Sequence, residues 1–383
     1  MTDAAVVGRI LREYHLAGVE PSGARWLAGS VCSDRVTYRL ASRRGAGLVV
    51  RAFRTDMPLD TQFRGRGAVT VTDWLCGRAA VLYWLEQHAY PAPRVIPTRS
   101  GDPVGLAGVW ATLATGYLAG TPLRPGTDEL RMLGEALGRL HALDSSTFTG
   151  AVDAAVGGAT AGSAVAGGTA AGGAGAEAGG GGAPGMAARR AAWHPEIAVP
   201  AALGRLEAVE GLIPADQRQL LDQLRDVLLA VQQRAQLLPA AVVHGDPWPG
   251  NAIRTAPDQV TLIDWENAGL GIPLLDLGYC LLEGHLDVGP PADQPAAWHI
   301  QPDEDRVAAV AAGYSRWRRL QPAEQDMLLE GIRFAAAVVG AIHLERALVG
   351  GVHGRSMDVR LELLRNRLAA SDAVADLARR HLG

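Results

Sequence analysis

The chain of 383 residues contains no lysine; all 36 of its basic side chains are arginine. That absence excludes a Walker A phosphate loop, a lysine Schiff base and a lysine nucleophile together. Cysteine is nearly as scarce. Cys32, Cys76 and Cys280 are an odd number, lie far apart and form no C-x-x-C pair. They suit buried thiols in a reducing compartment, not a disulfide framework or a zinc site. Excess positive charge is also missing: a net charge of −4 argues against a nucleic-acid partner. The longest apolar run, Phe334 to Ile342, is too short to span a bilayer. Met1-Thr2-Asp3-Ala4 lacks the basic start of a secretory signal. The expectation is a cytoplasmic globular protein with neither a membrane nor a nucleic-acid partner.

What is present divides by periodicity. Ala4 to Leu16 reads as an opening amphipathic helix, followed by strands through Val36-Thr37-Tyr38-Arg39-Leu40 and Leu48-Val49-Val50-Arg51-Ala52-Phe53. Trp74 to His88 reads as a helix, and Val109 to Leu113 as another strand. After Pro122 leucines recur at three- and four-residue steps. They mark helices over Thr127 to Leu143 and Gln219 to Gln236, and two further helices follow over Glu324 to Leu348 and Met357 to Leu382. The organisation expected is a β-rich part over residues 1–118 and a helical part over 119–383. The second is interrupted at 150–188 by a Gly/Ala-rich stretch too poor in large apolar residues to offset the entropy of ordering.

The chemistry concentrates in His244-Gly245-Asp246-Pro247-Trp248-Pro249-Gly250-Asn251 and Leu262-Ile263-Asp264-Trp265. An aspartate, an asparagine five residues on and a second aspartate thirteen beyond that suit a site for a metal-bound nucleotide. Asn251 and Asp264 supply the hard oxygens that Mg²⁺ prefers. Asp246 is a carboxylate free to take a proton from an attacking hydroxyl. Val242-Val243 and Val260 to Ile263 read as two short strands, whose pairing as a hairpin would bring the three polar residues to one end. Glu266, Glu283 and Asp287 follow and could form an acidic site for the acceptor.

These residues, together with Leu137-Gly138-Arg139-Leu140-His141-Ala142-Leu143, Tyr117 to Leu123 and Gly271 to Leu277, resemble the aminoglycoside phosphotransferase and choline-kinase-like family. The resemblance implies a bilobal α+β protein-kinase-like fold, with a small β-rich lobe and a larger helical one. It implies a small-molecule kinase that moves the γ-phosphate of ATP or GTP, with Mg²⁺, to a hydroxyl of a small molecule. Asp246 would be the catalytic base and Asn251 and Asp264 the metal ligands. Thr115, Tyr117 and Leu118 would hold the purine, while Ser30 in the loop Gly29 to Ser33 and Arg51 would meet the phosphates. Asp276 would brace the catalytic loop, and His141 and His244 would be packing and hydrogen-bonding residues.

The sequence departs from the family at one ion pair. Arg51 stands where a strand lysine is usual, and Arg78 where the following helix usually carries a glutamate. Two arginines cannot form that pair; Asp73 or Glu86 could stand in. The departure keeps open a second reading, a catalytically weak kinase-like protein that binds a nucleotide or metabolite as a regulator.

Overall fold

The computed structural model describes residues 8–10, 12–14, 24–26, 35–41, 47–56, 70–152, 190–286, 299–349 and 357–382. The chain forms two units, Met1–Ala119 with Ser145–Arg190, and Gly120–Asp144 with Ala191–Gly383. Ser30, Cys32, Asp287 and nearly all of the Gly/Ala-rich stretch lie outside the described residues.

The first unit is built on an antiparallel sheet. Its elements are β1 (Ala24–Trp26), β2 (Arg35–Ala41), β3 (Gly47–Arg54), α1 (Val71–Gln87), β4 (Val95–Ile96), β5 (Val104–Ala107) and β6 (Trp110–Gly116). The strand order is β1-β2-β3-β6-β4, with β5 also paired to β6. Alternation along β3 sends Leu48, Val50 and Ala52 into a core with Ile10, Tyr14, Leu40, Ala107 and Ala114. Tyr14 satisfies its buried hydroxyl on the carbonyl and side chain of Thr112, both at 2.9 Å. Helix α1 starts at Thr70, whose hydroxyl accepts from the Asp73 amide at 3.1 Å. Its Trp74 packs edge-on against Phe53 at 5.0 Å.

The second unit comprises β7 (Thr121–Pro122), α2 (Thr127–His141), α3 (Pro195–Glu210), α4 (Arg218–Arg234), β8 (Ala241–Val243), β9 (Ala252–Ala256), β10 (Gln259–Leu262), β11 (Gly269–Gly271), α5 (Pro273–Glu283), α6 (Glu304–Ser315), α7 (Pro322–Asp326), α8 (Leu328–Leu348) and α9 (Met357–Leu382). The middle of helix α8 sits in the core, with Phe334, Ala335, Ala336, Ala337 and Ala341 wholly buried. The apolar run noted in the sequence is thus a core segment. Among the described residues no helix is long and apolar enough to cross a membrane.

Three expectations need correction. Strands β8 and β10 do not pair with each other: β8 pairs with β11, and β10 with β9. The helix expected over Glu324 to Leu348 is two, interrupted at Met327 (φ −105°, ψ 12°). A capping box of Gln321 and Glu324 fixes the short α7 ahead of the break. Helices α3 and α5 were not expected at all. All of α5 is buried, so it has no polar stripe to reveal a helical period.

Helices α2 and α6 cross at unusually close range, and glycine is what permits it. A Cβ at Gly138 would lie 2.5 Å from the Tyr314 carbonyl oxygen, and Gly134 and Gly313 face the opposing backbone in the same way. Gly138→Ala should therefore destabilise the protein by about 1–3 kcal/mol through overpacking. Gly204→Ala is the control: it lies on an exposed turn of α3 with open space around it. That change should stabilise by about 0.5–1 kcal/mol. Urea unfolding of both variants checks this, and equal effects would show that the α2–α6 crossing does not need its glycine.

Candidate active site

The site in the second unit begins with a turn that only glycine fits. Gly245 has φ 79°, and a Cβ there would strike the backbone of Asn267. The turn leaves two buried backbone amides, those of His244 and Gly245, without a ladder partner. Asp276, in the first turns of α5, accepts both, through Oδ2 and Oδ1 at 2.8 Å each. The bracing expected of Asp276 is what the structure shows.

Asp276 Oδ2 also meets Nε2 of His141 at 3.2 Å, and Nδ1 of that ring meets the Tyr314 hydroxyl at 3.0 Å. A carboxylate can only accept, so Nε2 carries the proton and Tyr314 donates to Nδ1. Tyr314 in turn accepts from Arg318 Nη1 at 3.0 Å, and Arg318 clamps both oxygens of Glu324 at 2.8 Å. The result is a buried chain in which Arg318 donates to Glu324 of α7 on one side and to Tyr314 on the other, and Tyr314 and His141 in turn donate onward to Asp276, which also accepts the loop amides. Burial holds the pKa of His141 below its ordinary value, against the opposing pull of Asp276.

The next residue, Asp246, is half-buried. Nδ2 of Asn251 donates to its Oδ2 at 2.8 Å and to its carbonyl oxygen at 3.0 Å. Burial, then the charge of Asp264, push the Asp246 carboxyl up to about 7, against the hydrogen bond from Asn251.

Asn251 and Asp264 come together through β9 and β10, not through the hairpin expected from the sequence. Ala252 pairs with Leu262, and the Ile263 amide donates to the Asn251 carbonyl at 2.9 Å. Asp264 follows in the left-handed conformation (φ 67°, ψ 56°), which aspartate tolerates better than most residues. His244 ties the two segments together, its Nε2 donating to the Ile263 carbonyl at 2.8 Å and its ring lying edge-on to Trp265. Both histidines thus hold structure, as expected. Among the described residues no group of three or more His, Cys, Asp or Glu could by itself hold a metal. An asparagine and an aspartate suffice for Mg²⁺, which takes most of its oxygens from phosphate and water. The fit is supported by Asn251, whose amide nitrogen is spent on Asp246, leaving its side-chain oxygen for a cation.

Glu283 does not serve the acidic acceptor site suggested by the sequence. It is buried at the end of α5 in an ion pair with Arg367 of α9.

The first unit holds the other expected residues. Register pairs Thr37 with Arg51 and Leu113, and Arg39 with Val49 and Thr115, so all six side chains share one face of the sheet. The guanidinium of Arg39 stacks 3.8 Å from the ring centre of Tyr117. Arg51 is half-buried on this face, while Arg78 is wholly buried in α1. Asp73 accepts from the Thr70 hydroxyl at 2.7 Å, and Glu86 pairs with Arg94 at 3.2 Å.

The pattern that defines the phosphotransferase enzyme family matches residues 33–323. The chain belongs to that family. Solved structures with the same fold include amicoumacin kinase hAmiN in complex with AMP-PNP, Ca²⁺ and Ami (TM-score 0.60, 16% identity, covering 97% of this chain and 94% of that one). A microcompartment-associated aminopropanol kinase is similar (TM-score 0.55, 17% identity, 100% and 99% covered). So is an ethanolamine kinase from Plasmodium vivax (TM-score 0.54, 13% identity, 92% and 81% covered). No curated protein sequence matches the chain significantly. The phosphotransferase assignment and the α+β fold expected from the motifs both hold, and the protein is an enzyme of the small-molecule kinase kind.

The buried histidines of this phosphotransferase contribute to its acid sensitivity. His141 and His285 are both held below their ordinary pKa, first by burial. As the pH falls through about 6.5 the unfolded chain takes up protons there that the folded chain refuses. The stability these histidines contribute is therefore present above that pH and lost below it, while Asp246, raised to about 7, takes up a proton in the fold over the same range and opposes them. The contribution of His141 is read by difference: relative to the unaltered chain, His141→Gln should shift the pH dependence of the urea midpoint between about pH 7 and 5.5 toward less loss on acidification, even though it lowers stability throughout. An unchanged slope would mean His141 is protonated in the fold.

Proposed function

We propose that the protein transfers the γ-phosphate of ATP or GTP, with Mg²⁺, to a hydroxyl of a small molecule. The observation that carries this reading is the disposition of Asn251, which donates to Asp246 with its side-chain nitrogen and accepts with its carbonyl from the amide of Ile263, the residue before Asp264. In the reaction Asp246 takes the proton of the acceptor hydroxyl. The acceptor oxygen then bonds to the γ-phosphorus, and the bond to the leaving nucleoside diphosphate breaks. Asn251 and Asp264 would hold the metal, which when bound neutralises charge on the phosphate oxygens. Asn251 also keeps the Asp246 carboxylate oriented, and the Asp276 brace keeps the loop from drifting.

In the first unit, Arg51 is the residue for the phosphates, and the backbone from Thr115 to Leu118 is the segment for the purine. The AMP-PNP and Ca²⁺ bound with Ami in one structural neighbour, and the aminopropanol and ethanolamine for which two others are named kinases, support a nucleotide, a divalent metal and a small hydroxylated acceptor. The intact Asp246, Asn251 and Asp264 favour catalysis over a regulator, since a binding module has no use for a base.

The test is a screen of amino alcohols, other small alcohols and aminoglycosides with labelled ATP and GTP. Transfer to at least one acceptor is expected; nucleotide binding without transfer to any would favour the regulator. With an acceptor in hand, Asp246→Asn should lower kcat by roughly 10²–10⁴-fold while leaving nucleotide affinity near its original value. Asp264→Ala should weaken Mg²⁺ and nucleotide binding together, and a normal metal titration would remove Asp264 from the metal site. Deleting residues 152–186 should leave activity nearly unchanged, and a large loss would give that stretch a role in the reaction.

A further inference from the structure

The segment from Asp246 to Asn251 passes through two prolines and one glycine. Pro247 and Pro249 have fixed φ, and a residue ahead of a proline is pushed to extended backbone. Trp248 obeys this, with φ −113° and ψ 164°. Pro249–Asn251 then makes a single turn of 3₁₀ helix, closed by the Ala252 amide on the Pro249 carbonyl. Three hydrogen bonds tie the segment to itself. The Trp248 amide donates to the Asp246 carbonyl at 3.1 Å, Nδ2 of Asn251 donates to the same carbonyl at 3.0 Å, and the Asn251 amide donates to the Trp248 carbonyl at 2.9 Å. Within this closed ring Gly250 has no side chain to limit its rotation, and it stands directly before Asn251.

The indole of Trp248 folds back over that glycine. A Cβ at Gly250 would lie 2.4 Å from Cζ2, 2.5 Å from Cη2 and 2.8 Å from Cε2 of the ring. The φ of Gly250 is not positive, so space and not backbone conformation calls for glycine here. Trp248 is half-buried, whereas Pro247, Pro249 and Asn251 around it are buried. Filling a core therefore does not account for the indole.

We propose that Trp248 is a positioning residue for the transfer reaction: its indole, laid over Gly250, removes the freedom of that joint and so holds the Asn251 side chain against Asp246. This rests on the reading of Asp246 as base and Asn251 as metal ligand given above. Asn251 has two duties in that reading, its nitrogen on Asp246 and its side-chain oxygen toward the cation. Both depend on where its backbone is held. Trp248 acts through Asn251, so its loss is felt in metal use as well as in turnover.

Trp248→Ala uncovers Gly250. Hydrogen exchange at the Asn251 and Ala252 amides should become roughly threefold faster or more, the freedom that an unrestrained glycine regains, while exchange in α8 stays as it was. The Mg²⁺ concentration needed for half-maximal nucleotide binding should rise, and kcat with an acceptor from the screen should fall, each roughly tenfold or more. Gly250→Ala should act in the same direction with the indole still present, because a Cβ and the ring cannot share the space. The double variant separates positioning from packing. With the ring gone, alanine at 250 meets no clash and has less freedom than glycine. Trp248→Ala with Gly250→Ala should therefore regain exchange protection and Mg²⁺ response relative to Trp248→Ala alone. A double variant no better than Trp248→Ala, or a Trp248→Ala chain within about twofold of the original in both Mg²⁺ response and kcat, would overturn the assignment. An unaltered chain that binds nucleotide but transfers phosphate to nothing would overturn the reading of Asp246 and Asn251, and this role with it. The activity of the unaltered protein thus tells the two failures apart.

Discussion

The carboxylate of Asp276 is the constraint on which the site depends. The turn at Gly245 leaves two amides buried with no strand or helix to satisfy them, and each would cost about 1–3 kcal/mol if left unpaired. Asp276 satisfies both and takes the His141 proton as well. An asparagine there would present its own N–H₂ to at least one of these donors. Asp246 follows immediately, so its side chain starts from a backbone with no freedom left. The chain from Glu324 through Arg318, Tyr314 and His141 extends that rigidity into α6 and α7. Buried polar networks repay their desolvation only when every member is paired, and this one is paired at each step described.

The chemistry of the loop was legible in the sequence because polar residues at fixed spacing stand out against apolar strands. Its geometry was only half legible. Strands of three and four residues carry too little pattern to choose partners, so β8 could not be told to pair with β11, or β10 with β9. The outcome still brings Asn251 to Asp264, by a different ladder from the one the spacing suggested. Helices α2 and α4 announced themselves through leucine stripes, each with one face buried and one wet. Helix α5 gave no such sign, being buried throughout, and α3 carries Pro200 within it. The ion-paired Glu283 lies on α5, which is why it was misplaced. The glycines at the α2–α6 crossing were equally silent, since a close approach is a property of two segments and not of either alone.

The arginine-only composition leaves a mark on the core. Three arginines are paired with carboxylates in the interior of the second unit: Arg205 with Glu345, Arg318 with Glu324, and Arg367 with Glu283. They join α3 to α8, α7 to the chain after α6, and α5 to α9. Guanidinium suits these positions better than ammonium, because its planar fork meets two oxygens at once and it is more weakly hydrated. Such pairs add little to stability compared with a well-packed apolar substitute, yet losing one partner leaves a buried charge that costs about 3–5 kcal/mol.

The same chemistry bears on the first unit, where Arg51 takes the strand position usually given to lysine. A lysine there needs a carboxylate to steer its flexible stem. An arginine brings five donors in a fixed plane and steers itself. Its strand places it on the sheet face that also carries Arg39, Val49 and Thr115, with Tyr117 stacked under Arg39. A planar cation held by a strand can meet two phosphate oxygens at once, which is the role proposed for Arg51 above.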